Sequence, residues 1–72
     1  MDEHKILENF GLNFKHYRNK LKLSQDDVVE ITGFSKPYIS NVENAKHDIS
    51  LVNALKFAKV VNKSIEEMIK DL

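Results

Sequence analysis

Leu23-Ser24-Gln25-Asp26-Asp27-Val28-Val29-Glu30-Ile31-Thr32-Gly33-Phe34-Ser35-Lys36-Pro37-Tyr38-Ile39-Ser40-Asn41-Val42-Glu43-Asn44 sets two short amphipathic runs on either side of a glycine-containing turn. Ser24 precedes the first run and Ser35 the second, and a serine hydroxyl in that place accepts a backbone N–H and starts a helix. Ser24 with Asp27 has the spacing of a capping box with a shorter acidic arm. Gly33 stands where a left-handed residue ends a helix. The pattern predicts helices over 25–32 and 36–43, joined by Thr32-Gly33-Phe34-Ser35. Two short helices around a short glycine turn form a helix-turn-helix. Helices of this length do not persist alone, so flanking elements must hold them.

Working outward, Ile6, Leu7, Phe10, Phe14, Tyr17 and Leu21 recur at spacings of three and four. They make one apolar stripe on a helix over about 4–22, which Gly11 interrupts at a modest cost. At this spacing the aromatic rings are core packing rather than a base-stacking surface. Downstream, Ser50 opens a helix over 51–61 that ends at Asn62. Ser64 and Glu67 form a second capping box before a helix over 65–71. No strand pattern, repeat or low-complexity linker interrupts the series. The expectation is an all-α chain, a five-helix bundle with a central helix-turn-helix, residues 1–72 forming a single domain.

The chain has 72 residues, 42% of them hydrophobic, and no cysteine. So short a chain has no space for a catalytic domain beside a scaffold, so function must lie on the surface of the core. Without cysteine there is neither a disulfide nor a thiolate metal site. Met1-Asp2-Glu3-His4-Lys5 is neither a basic n-region nor followed by a signal-type apolar run, so no signal peptide is expected, and no apolar stretch approaches the roughly 20 residues that span a membrane. A cytoplasmic protein that does not engage the membrane is expected. Lysine plus arginine balance aspartate plus glutamate at 11 each. Bulk charge therefore does not advertise nucleic-acid binding. Its distribution is uneven, however: Lys15, Arg18, Lys20 and Lys22 lie in a segment free of acids.

A helix wheel over 36–44 separates two faces. Tyr38, Ile39, Val42 and Glu43 fall on one, with Ile39 and Val42 as apolar anchors. Lys36, Pro37, Ser40, Asn41 and Asn44 fall on the other, which carries no acid. Short donors and acceptors of this kind reach base edges in the major groove. The Asn41 amide can pair with adenine, Lys36 can donate to guanine, Ser40 can serve either, and the Pro37 ring can pack on a thymine methyl. Gln25, in the first turn of its helix, can donate to a phosphate drawn by that helix end. Asp26 and Asp27 would repel a phosphate and are expected on the far side of the same helix end.

This ordered set, a basic first helix with Arg18, Leu23-Ser24-Gln25, the Gly33-Phe34-Ser35 turn and Ile39-Ser40-Asn41-Val42-Glu43, resembles the phage repressor/Cro (XRE) family of helix-turn-helix regulators over about residues 12–69. The resemblance implies a lambda-repressor-like DNA-binding domain: a sequence-specific transcriptional regulator, in most cases a homodimer on an inverted-repeat operator. It implies base contacts from Lys36, Pro37, Ser40 and Asn41, and phosphate contacts from Gln25, Tyr38, Asn44 and Lys46. It further implies a structural ion pair between Arg18 and Glu43. The chain departs from the family at Ala45, where glycine is usual, at Val29, where alanine is common, and at Lys63, where a hydrophobic residue is usual. Neutral net charge weakens the counterion-release contribution, so weak binding to random DNA with a shallow salt dependence is expected.

Ile65, Met68, Ile69 and Leu72 follow one helical stripe. Part of the stripe is expected to finish the monomer core and the rest to stay exposed as the homodimer surface, spacing two recognition helices by about one DNA turn, roughly 34 Å. The competing reading is a protein-interaction module, antitoxin-like or adaptor, built on the same fold. An enzyme is not expected: His4, His16 and His47 lack ligand spacing, and no nucleophile–base set or phosphate-cradling loop is present. No cofactor, metal or small-molecule ligand is expected in this chain.

Overall fold

A computed structural model describes residues 2–72. Its helices are α1 (Glu3–Lys20), α2 (Gln25–Thr32), α3 (Lys36–Glu43), α4 (Leu51–Val60) and α5 (Ile65–Ile69). Each of the four capping serines accepts the backbone N–H three residues on: Ser24 from Asp27, Ser35 from Tyr38, Ser50 from Asn53 and Ser64 from Glu67. Both capping boxes are closed, with Ser24 N–H donating to Asp27 at 2.8 Å and Ser64 N–H to Glu67 at 3.1 Å. The backbone N–H of Ser64, aided by its hydroxyl and by Lys63, holds the exposed Glu67 carboxyl below the usual carboxylate value. Gly33 (φ 78°) and Asn62 (φ 56°) take the left-handed conformation where helices α2 and α4 end.

Two helices end two residues short of expectation. α1 stops at Lys20 rather than 22 because Lys22 turns left-handed at φ 59°, and this carries Leu21 out to solvent. α5 stops at Ile69 rather than 71 because Lys70 is extended. Two asparagines of α1 take over the carbonyls that end leaves open. The Asn13 amide donates to Met68 O at 2.9 Å and Lys70 O at 2.7 Å, and Asn9 donates to Ile69 O at 3.1 Å and Asp71 Oδ1 at 2.9 Å. A short helix with unpaired terminal carbonyls would otherwise fray.

One core joins the helices. Phe57 of α4 is its centre, meeting Phe14 edge-on at 4.8 Å, Phe10 at 6.2 Å and the Phe34 ring in a stack at 5.1 Å. Phe10 and Phe14 are therefore core residues, with Val28, Ile39, Val42, Ala54, Ala58, Val61 and Met68 around them. Gly11 is no mere interruption of α1. A Cβ built on it would stand 2.5 Å from the carbonyl oxygens of both Val42 and Glu43. The missing side chain lets α1 pass directly beneath the last turn of α3. Among the described residues no helix is long and apolar enough to cross a membrane.

Candidate nucleic-acid interface

Three contacts fix α3 to the body of the protein. At its C-terminal end, the Arg18 guanidinium forks onto Glu43, with Nε to Oε2 at 2.8 Å and Nη2 to Oε1 at 3.2 Å. Arg18 Nη1 also donates to the Leu23 carbonyl at 2.9 Å, tying the start of the helix-turn-helix to the same ion pair. Both side chains are nearly closed to solvent, at 9% and 3% exposure. A bidentate pair in such a place fixes orientation as well as charge. Gly11 provides the close approach of α1 under the same turn. At the N-terminal end, Tyr38 packs on Phe34 at 5.2 Å and its hydroxyl accepts from Asn53 Nδ2 of α4 at 3.0 Å.

The outer face is the one the wheel separated. Lys36, Pro37 and Asn44 are exposed and Ser40 and Asn41 half-buried, whereas Ile39, Val42 and Glu43 are buried and Tyr38 is half-buried. Among the described residues no side chain of the protein hydrogen-bonds the Asn41 amide, and Lys46 is exposed beyond the helix. Asn44 folds its amide back onto the Ser40 carbonyl at 2.9 Å. Ala45 follows in the left-handed conformation at φ 57°, so the usual glycine geometry is kept without the glycine.

Three side chains have partners the sequence did not reveal. Lys36 Nζ lies 3.2 Å from Asp26 Oδ1, both well exposed. Asp26 therefore faces the recognition helix and not the far side of α2, where Asp27 alone is taken up by the cap. Gln25 Nε2 donates to Glu43 Oε1 at 3.1 Å, extending the Arg18–Glu43 pair to the first turn of α2. An amide nitrogen carries two hydrogens, so one remains for a ligand oxygen. Lys63 lies on the ring of Tyr17 at 4.8 Å and 3.7 Å from Glu67, its stem covering the apolar ground a hydrophobic residue would cover.

The stripe expected to bring two copies together is largely consumed by the monomer. Met68 is fully buried, Ile65 and Ile69 pack against the core, and of the four only Leu72 is well exposed, at 70%. Other large hydrophobics are exposed at Leu12, Leu21 and Ile31, but among the described residues the one helix that exposes three of them is α4, where Leu51, Val52 and Leu55 are 70%, 62% and 50% exposed. Periodicity marked the stripe on α5 but gave no means of telling core from surface. The exposed residues of α4 adjoin buried ones in sequence and carried no separate signal.

An α-helical bundle whose third helix is locked on one face and presents short polar groups on the other defines a helix-turn-helix DNA-binding transcriptional regulator. The helix-turn-helix family matches residues 14–68, and the chain belongs to that family, in its phage repressor/Cro (XRE) branch. It is 33% identical over 64 residues to the control protein C.SmaI of Serratia marcescens, across 89% of this chain and 76% of that one. Among solved structures it resembles the restriction-modification controller protein C.AhdI from Aeromonas hydrophila, with a TM-score of 0.78 and 31% identity over 86% of this chain and 94% of that one. The family and these relatives are regulatory proteins rather than enzymes.

Proposed function

We propose that the chain is a transcriptional controller of restriction–modification genes that binds an inverted-repeat operator as a C2 homodimer, with α3 in the major groove. The observation that carries this reading is the acid-free outer face of α3, held rigidly by Arg18–Glu43 and Tyr38–Asn53. Lys36, Pro37, Ser40 and Asn41 read bases. Gln25, Tyr38, Asn44 and Lys46 hold phosphates, which positions the helix without specifying sequence. The two controller relatives supply the genetic setting.

The dimer surface is assigned to Leu51, Val52 and Leu55 of α4, in place of Met68. An apolar group that large, left in water on a small domain, favours association. Sedimentation of the wild type at micromolar concentration, beside Leu55→Glu, tests this part. A dimer that the variant reduces to a folded monomer supports it. A monomeric wild type, or a dimer untouched by the variant, refutes it.

A further inference from the structure

Tyr38 and Asn53 occupy the same position in successive helices: each is the third residue, and each gives its backbone N–H to its own serine cap, Ser35 at 3.2 Å and Ser50 at 3.1 Å. Their side chains then meet at 3.0 Å, which brings the N-terminal turns of α3 and α4 together. Neither first turn contains an acid, whereas α1, α2 and α5 each carry at least one there. The positive ends of two helix dipoles therefore share one side chain–side chain hydrogen bond.

The direction of that bond matters. A tyrosine hydroxyl has one hydrogen and accepts through oxygen. Asn53 Nδ2 donates to it, which occupies the acceptor side and leaves the hydroxyl hydrogen uncommitted. The ring cannot swing to find another partner, because Phe34 holds it edge-on at 5.2 Å and Phe57 lies at 6.1 Å. Donation from Asn53 also polarises the O–H and strengthens it as a donor.

We infer that Asn53 is a positioning residue for DNA binding: it holds the Tyr38 hydroxyl as a donor to one backbone phosphate where the N-termini of α3 and α4 meet. The inference rests on the DNA-operator reading and deepens it. Asn53 acts through Tyr38 and does not itself touch the duplex. A hydrogen bond to a charged oxygen corresponds to about a tenfold change in affinity or somewhat more.

The test is a double-mutant cycle of Tyr38→Phe and Asn53→Ala on the duplex that the wild type enriches from a random pool, repeated with single methylphosphonate replacements along each strand. Each variant is expected to bind about tenfold more weakly, and Asn53→Ala to cost nothing further in the Tyr38→Phe background. One methylphosphonate per half-site should weaken the wild type but neither variant. A merely structural role for Asn53 would not erase sensitivity at a single phosphate. Equal losses from Asn53→Ala in both backgrounds overturn the inference. Tyr38→Phe keeps the ring packing, so it decides the matter even if Asn53→Ala does not fold: a variant as sensitive as wild type at every methylphosphonate overturns it too. A wild type that binds while Tyr38→Phe equals it sinks this inference alone. A wild type that enriches no duplex sinks the operator reading along with it.

Discussion

Gly11 of α1 lies so close under the end of α3 that a Cβ on it would stand 2.5 Å from the Glu43 carbonyl oxygen. Backbone cannot yield as a flexible side chain does, so even one methyl group must push the recognition helix away from α1. Gly11→Ala gains close to 1 kcal/mol of helix propensity but forces overpacking worth about 3 kcal/mol or more. The expected net result is a loss of about 2 kcal/mol, lowering the melting temperature by roughly 10 °C in so small a domain. Thermal denaturation followed by circular dichroism checks this. An unchanged or raised melting temperature would mean that α3 does not rest on α1.

The Arg18–Glu43 pair predicts an asymmetry between single and double replacement. Glu43→Ala leaves the Arg18 guanidinium buried without its carboxylate, and losing one member of a buried pair costs about 3–5 kcal/mol. Arg18→Met combined with Glu43→Leu removes both charges and is expected to be less destabilising than Glu43→Ala alone. Urea denaturation of the three proteins measures the difference. A double variant as unstable as Glu43→Ala, or more so, would mean that the charge left unpaired on Arg18 is not what destabilises the single variant.

Ala45 holds a left-handed conformation for which a Cβ costs about 1–2 kcal/mol. Glycine removes that cost and gives back about 0.4–1 kcal/mol through the freer unfolded chain. Ala45→Gly should therefore stabilise the protein by about 0.5 kcal/mol, seen as a higher urea midpoint with an unchanged slope. Destabilisation would place the end of α3 in a different conformation.

If Lys36 contacts DNA as proposed, Asp26, 3.2 Å from its ammonium, competes with DNA for it. Their exposed pair contributes little to folding, so Asp26→Asn should leave stability within about 0.5 kcal/mol of wild type. Near a duplex the same carboxylate repels phosphate and holds back the lysine. The variant is expected to bind DNA about threefold to tenfold more tightly, as measured by fluorescence anisotropy at fixed salt. Weaker binding would mean that Asp26 aims Lys36 rather than restraining it.

Local signals carried most of the fold. The four serine caps, the left-handed Gly33 and Asn62, and the two faces of α3 all follow from residues a few positions apart, and local spacing defines helix ends and faces. The Arg18–Glu43 pair spans 25 positions and was legible only through resemblance to a family that keeps it. What stayed hidden depends on which surface each helix meets. Gly11 read as a weak point because the carbonyls above it belong to a helix some thirty residues away. Met68 and Leu55 both lie on apolar stripes, and nothing within either stripe separates the one that turns inward. The Asn9 and Asn13 clamp on α5 bridges the two ends of the described chain and has no local signature. At the candidate interface, the face of α3 was legible, whereas the hold of Asp26 on Lys36 and the contacts of Gln25 with Glu43 and Asn53 with Tyr38 were not.

The central claim, that α3 reads base sequence, is tested most directly by selecting bound duplexes from a random pool with wild type and with Asn41→Ala. The account predicts an inverted-repeat motif from the wild type and a lost preference at one defined position per half-site in the variant. Recovery of no motif by the folded wild type, or of an identical motif by the variant, would contradict it. The first of these results would favour a module that uses the apolar surface of α4 to bind another protein.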